Sequence, residues 1–312
     1  MCIRDSYIGD PLLTVFLNVI LPILVVAIIG SIIQRWRNLP IGPLSSTTVY
    51  VLSPALIFQQ MLGAEVSAEL VAQIIAAAVL TTIVLMIVSI LFSTLMRQKR
   101  EAQASFLLTT LFPNAANMAL PICFLAFGDE ALTVATILFV YHALMGWSLG
   151  VFIAARSGSQ GFKPLIAVMK MPALYAAASA LAIRSIGFEL PFAVEESARL
   201  LAGAAIPMML LVLGFQLGQG VEFSHWRILA TSLILRLGFS SLIAFGVTEI
   251  MGLSGIAQKV IILVSSMPTA VFTTLLATEF NVAPRFVTNA VISSTIISLL
   301  SLTVLITVLE RW

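Results

Sequence analysis

Apolar residues run along this chain in long blocks, with short polar stretches between them. A helix needs about 20 predominantly apolar residues to cross a bilayer. The blocks at approximately 12–33, 44–62, 70–96, 104–127, 131–155, 164–187, 197–219, 228–249, 257–280 and 286–309 meet that need. The connections among the first five are short and polar: QRWRNLPIG, GAEVSAE, RQKRE, GDE and RSGSQGFK. The pattern predicts an all-α integral membrane protein of ten transmembrane helices. The fourth and ninth blocks differ from the rest because polar residues and proline interrupt them.

Proline placement divides the ten blocks into two sets of five. Pro22 in the first block corresponds to Pro172 in the sixth, Pro54 in the second to Pro207 in the seventh, and Pro113 in the fourth to Pro268 in the ninth. These pairs lie 150, 153 and 155 residues apart, and the third, fifth, eighth and tenth blocks have no interior proline. Five is odd, so a second copy enters the membrane from the opposite side. The prediction is an inverted repeat, residues 1–155 followed by 156–312, with corresponding interrupted segments, as in secondary transporters.

Charge sets the orientation. Loops after odd-numbered blocks hold Arg35, Arg37, Arg97, Lys99, Arg100, Arg156, Lys163, Lys170, Arg227 and Arg285, against Arg4, Arg184, Arg199, Lys259 and Arg311 on the other side. Basic loops stay in the cytoplasm, so both termini are expected outside, in a multi-pass protein of the inner (plasma) membrane. The first block is too long for a signal-peptide core and lacks a small-residue cleavage site. The opening MCIRDS matches the translation of a common transposon-end sequencing adaptor, so residues 1–6 are expected to be artefactual and carry no functional weight.

Composition agrees with membrane embedding. Of 312 residues, 60% are hydrophobic and 10% charged, with a mean hydropathy of +1.09, whereas a soluble domain is about 25% charged. No stretch outside the blocks could form a soluble domain. The net charge of +2, spread over the loops, gives no nucleic-acid footprint. Cys2 and Cys123 have no metal-ligand spacing, so no metal or cofactor is expected. Two distant histidines and the absence of mid-block carboxylates argue against an enzyme. The same absence argues against a cation antiporter that works through buried acids.

The chemistry concentrates in FPNAANMALP, residues 112–121. A helix broken inside a bilayer frees backbone groups that survive only against protein or in a wet cavity. Half-helix N-termini then favour an anion and C-termini a cation. Pro113, Asn114, Asn117 and Pro121 mark the first break; Ser265, Ser266, Pro268 and Thr269 mark the second. The asparagines either cap freed backbone or touch a substrate, and the hydroxyls either do the same or bond their own helix carbonyls. His142 and Arg236 are the ionisable side chains well inside a block. His142 is either a proton relay or a hydrogen-bonded bundle residue. Arg236 either snorkels to the boundary or favours anions in the cavity. Gln59, Gln60 and Gln216 are further polar candidates, with Gln60 read as a solvated end.

LSPALIFQQML, FPNAANMALPICFLAFGDEAL and AAIPMMLLVLGFQLG resemble the auxin efflux carrier family over essentially the whole chain. The long central loop of the plant carriers is absent, which makes the chain similar to the compact bacterial branch. The resemblance implies the fold of bile-acid sodium symporters. A panel domain of spans one, two, six and seven would support a core of spans three to five and eight to ten, with spans four and nine crossing at Pro113 and Pro268. It also implies small organic anions as substrates, malonate, malate and auxin-like acids among them. Ala115, Ala116 and Ala119 replace glycines usual in the family's first break. The expectation is a secondary transporter of mono- or dicarboxylates working by elevator-type alternating access. The alternative is a sodium-coupled symporter of a bulkier, bile-acid-like anion. Coupling to sodium or protons and a homodimeric state are left open.

Overall fold

A computed structural model describes residues 10–37, 39–64, 66–155, 172–217 and 226–312. Glu65, Arg156, Lys163, Lys170, residues 1–6, the start of the expected sixth span and the end of the seventh lie outside these residues. The described chain is all-helical apart from one isolated bridge. Seven helices are long and apolar enough to cross a membrane: α1 (Pro11–Arg37), α2 (Ile41–Leu62), α3 (Ala68–Leu95), α5 (Ala115–Ala155), α7 (Phe192–Leu217), α8 (Trp226–Ile250) and α11 (Pro284–Glu310). Shorter helices are α4 (Arg100–Leu111), α6 (Pro172–Ile186), α9 (Gly255–Ser265) and α10 (Phe272–Glu279).

Caps and prolines shape these helices. Asp10 Oδ1 accepts from Leu12 N ahead of Pro11, and Ser67 Oγ accepts from Leu70 N at the start of α3, each satisfying an amide that a helix start leaves free. Inside α1, α2 and α5 the chain widens into π turns at Phe16–Ile20, Thr48–Leu52 and Ala115–Ala119. These three turns end two residues before a proline, Pro22, Pro54 or Pro121, whereas those at Gly146–Gly150 and Leu235–Phe239 precede none. Proline lacks an amide and crowds the carbonyl one turn back, and a wider turn moves that carbonyl aside.

Two expected boundaries shift. The GDE connection between the fourth and fifth blocks shrinks to a single non-helical residue, Gly128 at φ 81° and ψ −162°, within the helical stretch Ala115–Ala155. That conformation is essentially confined to glycine, so one residue does what was read as a loop. The ninth block is two helices, α9 and α10, with a non-helical segment around Pro268 between them.

The molecule is apolar outside and polar at its centre. Ile28, Ile32, Ile87, Leu91 and Leu300 are exposed, while Thr109, Asn114, Arg236, Ser240, Thr269 and Ser294 are buried. A soluble protein would reverse this arrangement; hydrocarbon around the molecule explains it. Helices α1, α2, α6 and α7 pack chiefly on one another. Backbones come closest between α1 and α7, where a Cβ at Gly214 would lie 2.0 Å from Ala27 O and one at Gly30 2.6 Å from Leu211 O. A second set of contacts joins α3 to α4 and α8, and α9 to α5 and α8.

Candidate functional site

The two interrupted segments meet. Asn114 N donates to Pro268 O at 2.7 Å and Ala270 N to Phe112 O at 2.8 Å, an antiparallel bridge between Pro113 and Thr269. Buried backbone groups must be paired, and following them shows how the breaks hold each other. Pro113 has no amide to give Thr109 O, which accepts instead from Thr269 Oγ1 at 2.7 Å. Asn114 N has turned to Pro268, so Thr110 O is free, and Arg236 Nη1 donates to it at 2.8 Å. Thr269 N has turned to Ser294 Oγ at 3.1 Å, which frees Ser265 O. That carbonyl accepts from Arg236 Nη2 and, at 2.7 Å, from Ser240 Oγ.

Arg236 is 1% exposed, so it does not snorkel. It sits in a π turn of α8, Leu235–Phe239, and its guanidinium joins the C-terminal carbonyls of α4 and α9. Its Nε is buried without a partner. The Arg199–Glu196 ion pair lies elsewhere. Beside the guanidinium is a narrow cavity with room for about one water molecule, lined by Thr81, Pro113, Leu138, His142, Arg236 and Ser265 among others. Among the described residues no Asp or Glu lines it. Thr81 Oγ1 is also buried and unpartnered. His142 stands edge-on to Tyr141, with ring centroids 4.9 Å apart.

Asn114 begins α5. Its Oδ1 accepts from Asn117 N at 3.2 Å, its carbonyl accepts from Ala119 N across the π turn, and its Nδ2 is buried with no partner. The amide orientation follows from chemistry, because only the oxygen can accept from a backbone N–H. Capping therefore uses one end of the side chain and leaves a donor over. Asn117 is half-buried, in a turn that packs against α7.

The other expected site residues separate by role. Ser266 Oγ bonds its own helix at Ile262 O, 2.7 Å away, and Thr269 is committed to the crossover. Pro121 is buried in α5, eight residues past Pro113. Gln59 Nε2 donates to Glu195 O on α7 at 3.2 Å, and Gln60 Oε1 accepts from Thr133 Oγ1 on α5 at 3.0 Å. Gln216 Oε1 is buried without a partner. None of the three glutamines lines the crossover cavity. Thr81, Thr109, Thr110, Ser240 and Ser294 are not among the candidates the sequence singles out. Their signal was hydroxyls deep inside apolar blocks.

Residues 15–164 and 159–306 match the family described as membrane transport protein. The chain belongs to this family. It is the family of the auxin efflux carriers, so the resemblance carried by the broken fourth block is borne out. Two archaeal relatives bear the same general description. An uncharacterized transporter of Methanocaldococcus jannaschii is 26% identical over 212 residues, 66% of this chain and 68% of that protein. One of Methanothermobacter thermautotrophicus is 29% identical over 192 residues, covering 61% and 62%. This member of the membrane transport protein family is thus a multi-pass membrane transporter.

Proposed function

We propose that this chain is a secondary transporter that carries small organic anions, mono- or dicarboxylates such as malonate, malate or auxin-like acids, by elevator-type alternating access. The observation that carries the reading is the buried guanidinium of Arg236, which lines the crossover cavity with no carboxylate beside it. A buried charge without a counter-charge is costly, and a carboxylate substrate would supply that counter-charge. Asn114 Nδ2, Thr81 Oγ1 and the amides at the start of α5 are the accompanying polar groups, with Asn117, Pro113, Ser266, Pro268 and Thr269 forming the surrounding crossover.

In this reading the chain crosses the membrane ten times as two inverted five-span repeats. At 1.5 Å per residue the 41 residues of Ala115–Ala155 would extend roughly 60 Å, twice the hydrocarbon thickness, so the chain turns back at Gly128. Helices α9 and α10 are too short to cross singly and form one broken span, as α4 does with the start of α5. The mutual packing of α1, α2, α6 and α7 supports a panel against which the remaining helices move. The protein resides in the inner membrane with both termini outside, alone or as a homodimer.

Counterflow is the test. Purified protein in liposomes preloaded with an unlabelled carboxylate is expected to accumulate the labelled acid transiently. Folded protein that exchanges no mono- or dicarboxylate would overturn the assignment.

A further inference from the structure

Buried side chains with polar atoms are normally held by hydrogen bonds. His142, on α5, is 9% exposed and is not held in this way. Among the described residues no hydrogen bond reaches its ring nitrogens. Its ring contact is the edge of Tyr141, whose own hydroxyl is turned to Ala78 O and Thr82 Oγ1 on α3. The imidazole instead lines the crossover cavity, free to gain or lose a proton there. We propose that His142 is the binding site of a co-transported proton, and that this proton makes the crossover selective for dicarboxylates.

The surroundings fix the charge count. Among the described residues, the charged and titratable groups that face His142 are Arg236 from α8 and Tyr141 from its own helix. α3 lines the cavity with alanine, threonine and leucine, α4 with Leu111 and α9 with Ser265, and none of these titrates. One fixed cation therefore matches one carboxylate. The second charge of a dicarboxylate would stand unmatched in a site with little water to screen it, and a proton on His142 supplies the missing positive charge. Two cations lining one cavity repel each other, so the proton arrives with the dianion and leaves with it. The cavity has room for about one water molecule, and Thr81 Oγ1 and Arg236 Nε are buried there without partners. Together with the imidazole they give that water the polar contacts it requires, and a water in that place can hand a proton to the ring.

The inference rests on the reading of the chain as a carboxylate transporter and deepens it. Full-length protein is placed in liposomes that hold a pH-sensitive dye, with the membrane potential clamped by potassium and valinomycin. Malate is supplied above about pH 6.5, where both its carboxyls are ionised. About one proton is expected to enter with each malate, and the apparent affinity should weaken by up to about tenfold for each unit of rising pH. Calorimetry of malate binding in detergent, in buffers of different ionisation enthalpy, should count the same proton without transport. His142→Gln keeps a polar side chain that cannot take the proton. It is expected to lower malate exchange by about tenfold or more and to flatten its pH profile, with acetate exchange falling less. Malate carried or bound without proton uptake overturns the inference and leaves the transporter reading intact; the wild-type count decides this even if the variant fails to fold. A His142→Gln protein that keeps the wild-type pH profile overturns it too, as does exchange of monocarboxylates with none of malate or malonate. Exchange of no carboxylate at all defeats the transporter reading, and the inference with it.

Discussion

At the scale of single residues, the crossover separates groups that hold the fold from groups left over. Thr269, Ser266 and Ser240 spend their hydroxyls on carbonyls, whereas Asn114 has work for its oxygen and none for its nitrogen. That split makes its two roles separable. Asn114→Ala removes both and is expected to lower stability by about 1 kcal/mol, the usual cost of losing an N-cap. It should also reduce carboxylate exchange by about tenfold or more, the worth of a hydrogen bond to a charged group. Asn114→Ser restores a capping oxygen and should recover the unfolding temperature without the exchange rate. Parallel recovery of both would make Asn114 a cap alone. The break around this residue was legible from its prolines, because a missing amide is a property of the residue itself. The partners of Arg236 were not. Whether Thr110 O and Ser265 O are free depends on where Asn114 N and Thr269 N turn, the first to Pro268 in the other interrupted segment and the second to Ser294, 25 residues on in another helix.

Helices as units show a similar mixture of the readable and the hidden. Block length announced the long helices because hydrocarbon thickness sets their minimum. The break at Gly128 was hidden because one glycine in a conformation closed to other residues interrupts the helix. The π turns before Pro22, Pro54 and Pro121 were hidden too, since they are a response to proline and not a composition. Contact between α1 and α7 was equally silent in the block pattern, yet it depends on two glycines. A methyl at Gly214 would meet the backbone of Ala27 at 2.0 Å, and backbone cannot rotate away as a side chain can. Gly214→Ala is expected to cost about 1–3 kcal/mol by forcing the helices apart. Gly203→Ala, in the same helix with nothing within 4 Å of its Cβ, should be neutral or gain up to about 1 kcal/mol from the better helix former. Thermal unfolding of the two variants side by side checks this; equal losses would show that α1 and α7 do not depend on close approach.

For the whole molecule the question is whether one group of helices slides against the other. The paired prolines suggested two copies of a five-span unit, and the packing divides along a different line: α1, α2, α6 and α7 on one side, the crossover helices on the other. In the proposed inverted repeat each copy gives its first two spans to one group and its last three to the other, which would account for both. Between the groups, Gln60 on α2 bonds Thr133 on α5 across 3.0 Å, close to the turn at Gly128. An elevator movement must break that bond in every cycle, whereas a carrier that only rocks small gates at the crossover need not disturb it. Cysteines at both positions, Gln60→Cys with Thr133→Cys, can be joined by a short reducible bis-thiosulfonate in a background with Cys2 and Cys123 replaced by alanine. Cys123 is completely buried, so its removal concerns packing more than labelling. Carboxylate counterflow is expected to fall in proportion to the cross-linked fraction and to return when the bridge is reduced. Each single-cysteine protein treated alike should keep its rate. Full exchange through a quantitatively cross-linked protein would mean that the two groups of helices stay fixed together, and the crossover would then have to open by local rearrangement of α4, α9 and α10.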